Sequence, residues 1–381
     1  MPNTTTWPLP LHSAAKHEML RRYLEVWYAK LASTGARRRG SQLNYIDAFA
    51  GPGIFDRGEP GSPIVALTAL INHRAFANWS GVKFLFYFVE ADTERCQSLK
   101  DQVAALWARR NGGRPRNVTV QIVNKSFLDT VSDLVEISTS NGGTSFSVPT
   151  FAFVDPFGFS DLPIAGLCSL LRTGSCEVLF TFMYNDINRF FTFQNEKHQA
   201  HLKMLFDFDE FPSVEGLSAR EREALLNAHI EQVFRRRGDF EHVRSFKMEG
   251  LTDRTLYSLF FATHRIEGLE VMKDVMWKID PAEGRRFSDR LADQPSLFEG
   301  QPNYEELKQL VLKRLATSKL AIKELENFVT TDTNFKSSHL KTNVLKPLER
   351  EGQIVVTSTN PNRRSFTFAD GCTIALAEKA S

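Results

Sequence analysis

The chain has 381 residues, 42% hydrophobic and 24% charged, an ordinary globular balance that excludes a disordered or fibrous chain and suits two domains. Its 47 Lys+Arg against 45 Asp+Glu leave a net charge of +2, which excludes binding to nucleic acid by bulk charge and leaves only a local patch. There is no bilayer-length apolar run, no signal-peptide order at the N-terminus and no CxxC pair among the four cysteines, so a cytoplasmic protein with reduced thiols, no membrane partner and no metal is expected.

Apolar residues recur at helical spacing over 14–32, through Met19, Tyr23, Leu24, Trp27, Tyr28 and Leu31, which predicts an amphipathic helix. Residues 43–49 read as a buried strand stopped by Gly51-Pro52-Gly53. Ser62-Pro63 then opens a helix, with serine as its cap and proline at the first helical position. A strand over 82–90 ends on Glu90, and a helix from about Asp92 to Arg110 follows it. Further strands are predicted over 118–124, 151–159, 176–185 and 257–264, with a helix over 269–279. Near-continuous apolar strands alternating with helices predict an α/β fold, a parallel sheet covered on both faces. The expected division is an N-terminal helical segment over 1–42 and a Rossmann-like domain over 43–280.

Residues 281–303 are charged, hold three prolines and show little periodicity, so they read as a linker. Helices over 304–316, 321–329 and 338–352, then two strands within 353–369 around Asn-Pro-Asn, predict a winged helix-turn-helix domain over 304–381. Pro347 should kink or shorten the third helix. Lys336, His339, Lys341 and Lys346 flank that helix and Arg363 and Arg364 sit at the wing tip, so these six are candidate nucleic-acid contacts. A winged helix that docks on protein is the competing reading.

The residues with chemical potential fall at strand ends. Asp47, Phe49, Gly51 and Gly53 form an acid followed by a Gly-x-Gly turn, which leaves backbone amides bare for a ligand. Asp56 stands where a dinucleotide fingerprint needs its third glycine, which disfavours a nicotinamide dehydrogenase. The looser spacing is the form used by class I S-adenosylmethionine (SAM) methyltransferases. A tight strand-end turn gives the same pattern. Glu90 ends the next strand, where a carboxylate can accept both ribose hydroxyls of an adenosyl group. Asn124, Ser126 and Asp129 follow the third strand, and one of the three is expected to reach an adenine amine. Asp155, Pro156 and Phe157 end the fourth. A carboxylate and a backbone carbonyl there can hold an exocyclic amine, and an aromatic ring can stack on its base. This Asp-Pro-Phe-Gly resembles the corresponding loop of tRNA guanine-N2 dimethyltransferases.

The segments KHEMLRRYLEVW, YIDAFAGPG, GSP, FVEAD, VDPFG, YNDINRF and VMKDVMW together resemble the three-Cys-motif partner protein family, TcmP. That resemblance implies a class I methyltransferase fold and a genomic partner with a radical-SAM-like three-cysteine motif. It also makes Lys16 and His17 signature positions, and it supplies no substrate. Two functions are therefore expected. One is SAM-dependent N-methylation of a DNA or RNA base. The other is a non-catalytic, SAM- or nucleic-acid-binding accessory to the three-Cys-motif protein. Gln294-Pro295-Ser296-Leu297-Phe298 also resembles peptides that dock on the bacterial sliding clamp.

Overall fold

A computed structural model describes residues 4–35, 41–130, 148–156, 163–172, 174–191, 196–209, 212–252, 254–292 and 302–377. The chain divides into two compact units. The first comprises Met1–Gly268 and Phe287–Asp293, the second Leu269–Arg286 and Gln294–Ser381.

The first unit is built on an eight-stranded sheet. Its strands are β1 (Gln42–Asp47), β2 (Lys83–Val89), β3 (Val118–Val123), β4 (Thr150–Val154), β5 (Cys176–Phe182), β6 (His242–Glu249), β7 (Thr255–Thr263) and β8 (Arg286–Ser288). Their order is β3-β2-β1-β4-β5-β7-β6-β8. Strands β1 to β5 are parallel, whereas β7 runs antiparallel to both β5 and β6. The expected parallel sheet therefore becomes a mixed one at β7. Only a short turn joins β6 to β7, and so short a connection must reverse the chain.

The helices of this unit are α1 (Leu11–Gly35), α2 (Ser62–Ile71), α3 (Thr93–Arg109), α4 (Ile164–Leu170), α5 (Tyr184–Phe191), α6 (Glu196–Phe206), α7 (Ala219–Gly238), the start of α8 (Ile266–Ile279), and α9 (Asp289–Ala292). Successive strand residues face opposite sides of the sheet. On one side α1 sets Tyr23 and Trp27 against Phe151 at 5.4 and 6.0 Å, and Tyr28 against Phe84 at 6.1 Å. Inside that layer the buried Glu177 carboxylate accepts from the hydroxyls of Tyr23 at 2.7 Å and Thr263 at 2.9 Å, so its burial costs less. On the other side Ile46, Val154, Phe180 and Phe182 share a core with Leu167, Leu205, Val233 and Phe234. The four cysteines are buried thiols. No helix of the described residues is long and apolar enough to cross a membrane.

The second unit takes in α8 from Leu269 onward. Lys273, 2% exposed, explains why. Its Nζ donates to the carbonyls of Val329, Thr330 and Thr333 at 2.9, 2.8 and 3.1 Å, which caps the end of α11 (Ile322–Asp332) with a cation. Trp277 donates to the Asn334 carbonyl and packs among Leu307, Val311 and Phe335. Helix α10 (Tyr304–Leu315) precedes α11, and α12 (Ser337–Leu340) and α13 (Lys346–Arg350) follow. A widened π turn over Lys341–Leu345 separates these last two, so Pro347, which has no N–H to give, stands at the start of α13 rather than inside one long helix.

A three-stranded antiparallel sheet completes this unit in the order β10 (Ile354–Ser358), β11 (Cys372–Leu376), β9 (Leu320–Ala321). Strand β10 thus pairs with 372–376 and not with the expected stretch before 369. Phe366 takes a left-handed φ of 62° and Phe368 turns into the core, which prevents that stretch from extending.

Candidate active site

The sheet register brings the candidate residues to one level. Asp47 pairs with Phe88 of β2 and with Phe153 of β4. Phe49, Glu90 and Asp155 each lie two residues further on, just past the carboxyl ends of β1, β2 and β4. From β1 the chain winds outward to β2 and β3 on one side and to β4 and β5 on the other, so this level is the topological switch point where open α/β sheets take ligands. A cavity of about 270 Å³ opens here. Its walls include Trp7, Lys16, Phe49, Gly51, Gly53, Asp155, Pro156, Met183 and Tyr257.

The Gly-x-Gly turn is tied down from below. Gly53 has φ +78°, and an added Cβ would lie 2.8 Å from Leu99 Cδ1. Gly61 donates to the Gly53 carbonyl at 2.9 Å, and a Cβ there would meet the Gly53 carbonyl carbon at 2.9 Å. Only glycine fits at 61, a requirement invisible until the two segments are seen together. Trp7 covers the turn from above, with its ring edge-on to Phe55 at 5.9 Å and under the Arg95 guanidinium.

Glu90 is 7% exposed and lies behind the cavity wall. Its Oε2 accepts from the Gly51 N–H and its Oε1 from the Asp92 N–H, both at 2.8 Å. Burial raises its pKa and these two bonds oppose that rise. Each carboxylate oxygen keeps a second lone pair. Ser126 stands apart from the cavity, where its hydroxyl donates to Asp129 at 2.6 Å and accepts from the Asp129 N–H, as the cap of a helical turn.

Asp47 is fully buried beneath the turn, not on the cavity wall, and accepts from the Phe49 N–H and the Tyr45 hydroxyl. Burial pushes its carboxyl up to about 7, against a hydrogen bond from Ser62 and with help from the Asp155 charge. The folded carboxyl thus keeps its proton until about pH 7, while the unfolded chain gives it up near 3.8. Stability from this group is present below that lower value and is lost as pH rises towards 7. Asp47→Asn should therefore gain on the wild type between pH 5 and pH 7.5 by on the order of 2 kcal/mol. Urea unfolding at the two pH values measures this, and an equal difference at both would contradict it.

At the other end of the cavity, Lys16 Nζ lies 2.5 Å from Asp155 Oδ2. No local pattern announces this pair, whose members stand 139 residues apart. Lys16 is 5% exposed and also lies over the Tyr257 ring, 4.9 Å from its centroid. Asp155 Oδ1 has no partner among the described residues. Beside them, His17 Nδ1 is buried without a hydrogen-bond partner among the described residues, and burial, then the Lys16 charge, lowers its pKa to about 4. Phe157 and Gln294–Phe298 lie outside the described residues. No cluster of three metal-ligating side chains occurs among the described residues.

In the second unit, four of the six basic candidates are engaged. His339 is buried against Trp277, Tyr304 and Phe335. Lys336 pairs with Asp274 and Lys341 with Glu326. Arg363 grips both oxygens of Glu349 at 2.9 Å. Arg364 is exposed, as is Lys346.

No family model matches the chain, and no curated protein matches it. Solved structures do. Protein LPL1258 from Legionella pneumophila, described by the family model DUF519, aligns over 65% of this chain and 85% of its own at 11% identity, with a TM-score of 0.33. Trm1 from Pyrococcus horikoshii, solved with S-adenosyl-L-methionine, aligns over 71% of this chain at 12% identity, with a TM-score of 0.38. The chain spans 61% of the length of Trm1.

Proposed function

We propose that the chain is a SAM-dependent methyltransferase that modifies an exocyclic amine of a nucleic-acid base. The observation that carries this reading is the shared level of the Gly51 turn, Glu90 and Asp155 at the switch point of the sheet. The residues fit the cofactor: a turn whose two glycines take left-handed φ values of +63° and +78° and carry no side chain, with a buried carboxylate directly behind it. When bound, SAM supplies a methyl group on a sulfonium that needs no activation by the protein. Gly51 and Gly53 would let it approach bare backbone, and Glu90 would take its ribose hydroxyls through the remaining lone pairs.

The rest of the work is alignment and exclusion of water. Asp155 Oδ1 would accept from the target amine, assisted by the Pro156 carbonyl, and hold the nitrogen lone pair towards the methyl group. Tyr257, Met183 and Pro156 supply apolar walls for a flat ring. Phe157 is proposed as its stacking partner, on the sequence alone. The test is transfer of radiolabelled methyl from SAM to total tRNA, rRNA and DNA. Label in one pool supports the reading. Tight SAM binding with no label in any pool favours the accessory function beside a three-Cys-motif protein.

The second unit is proposed as a winged helix that contacts nucleic acid through two of its exposed cations, Arg364 and Lys346. Removing one phosphate-binding cation should reduce the slope of log K against log salt by about one. The double variant Lys346→Ala, Arg364→Ala of the full chain is therefore expected to bind duplex DNA or RNA with a slope about two smaller. An unchanged slope would assign the module to protein docking.

A further inference from the structure

An ion pair lines one end of the cavity. Asp155 is the one carboxylate among the described residues of the cavity wall, and alone it would attract any ammonium. It is not alone. Lys16 holds Oδ2 at 2.5 Å and is itself almost wholly buried. Its ammonium also lies against the face of Tyr257. Among the described residues, Oδ1 is the oxygen left to a ligand. His17, beside the pair, adds no positive charge near neutrality, because burial keeps its imidazole neutral.

From this geometry we infer that Lys16 is a positioning and specificity residue, which neutralises Asp155 so that the cavity takes an uncharged nitrogen, as in a base, and rejects an ammonium, as in a lysine side chain. The inference rests on the reading of Asp155 as the acceptor-side group. A cationic acceptor would bring a second ammonium to a carboxylate that already has one, within a few ångströms of the buried Lys16 charge. A neutral exocyclic amine needs only one acceptor oxygen, and Oδ1 supplies it. Protein amines are thereby excluded by charge before shape is considered.

Calorimetric titration of the full chain with cytidine and guanosine, which lack the cofactor's adenine, and separately with Nα-acetyl-lysine methylamide, tests this without any transfer of a methyl group. The wild type should prefer at least one nucleoside to the lysine probe by about tenfold or more. In Lys16→Met, the lysine probe should gain about tenfold or more, because it replaces the missing ammonium beside Asp155, and Lys16→Met with Asp155→Asn should lose that gain. A wild type that binds the lysine probe as well as the nucleosides, or that binds neither, overturns the inference even if Lys16→Met does not fold. The outcome is separate from the cofactor reading, since SAM binding is titrated on its own and can fail while the probe preference holds.

Discussion

An Asp155→Asn variant is expected to transfer methyl groups about 10²–10³ times more slowly than the wild type while binding SAM with unchanged affinity. Asp155 lies past the end of β4, on the acceptor side of the cavity, two residues beyond the row that pairs with Asp47. A carboxylate there matters most as the amine nitrogen becomes tetrahedral and its N–H groups more acidic, so the loss should fall on kcat. Asparagine keeps the shape and one acceptor oxygen. Both substitutions remove the counter-ion of Lys16, but alanine also leaves the buried ammonium without an acceptor oxygen, and breaking a buried pair in that way costs about 3–5 kcal/mol of stability and would confuse the measurement. Single-turnover rates at saturating SAM check the prediction. A wild-type rate would make the Asp-Pro segment a mere strand-end turn.

Glu90→Ala should give the opposite phenotype. The carboxylate holds the Gly51 and Asp92 amides at 2.8 Å each, and both lose their acceptor in the variant. The glycine turn then loses its anchor and the ribose hydroxyls lose their proposed partner. SAM should bind more weakly by about 1.5–3 kcal/mol, roughly ten- to a hundredfold, with turnover largely restored at saturating cofactor. Glu90→Gln keeps one acceptor oxygen and should fall between. If SAM affinity is unchanged in Glu90→Ala, the carboxylate serves the loop alone.

Much of this arrangement is readable from the chain because it is local. Strands β2 and β4 are near-continuous apolar runs, and each ends where its acid, Glu90 or Asp155, begins. The Gly-x-Gly turn declares itself within seven residues of Asp47. Strand β6 is hidden because Arg244 and Lys247 interrupt its apolar pattern, and the reversal at β7 is hidden with it. Other features depend on segments far apart in sequence. The Lys16–Asp155 pair, the seat of Gly61 against Gly53, and the capping of α11 by Lys273 are of this kind. The basic residues of the second unit show the same limit. Residue type suggests a contact surface, yet His339 fills an aromatic cage and Arg363 closes on Glu349.

Titration of the full-length protein with SAM and with S-adenosylhomocysteine by calorimetry tests the central claim most directly. The switch-point geometry predicts one site per chain for each ligand, weakened by Glu90→Ala and unaffected by Asp155→Asn. Absence of binding for both ligands at millimolar concentration would contradict it.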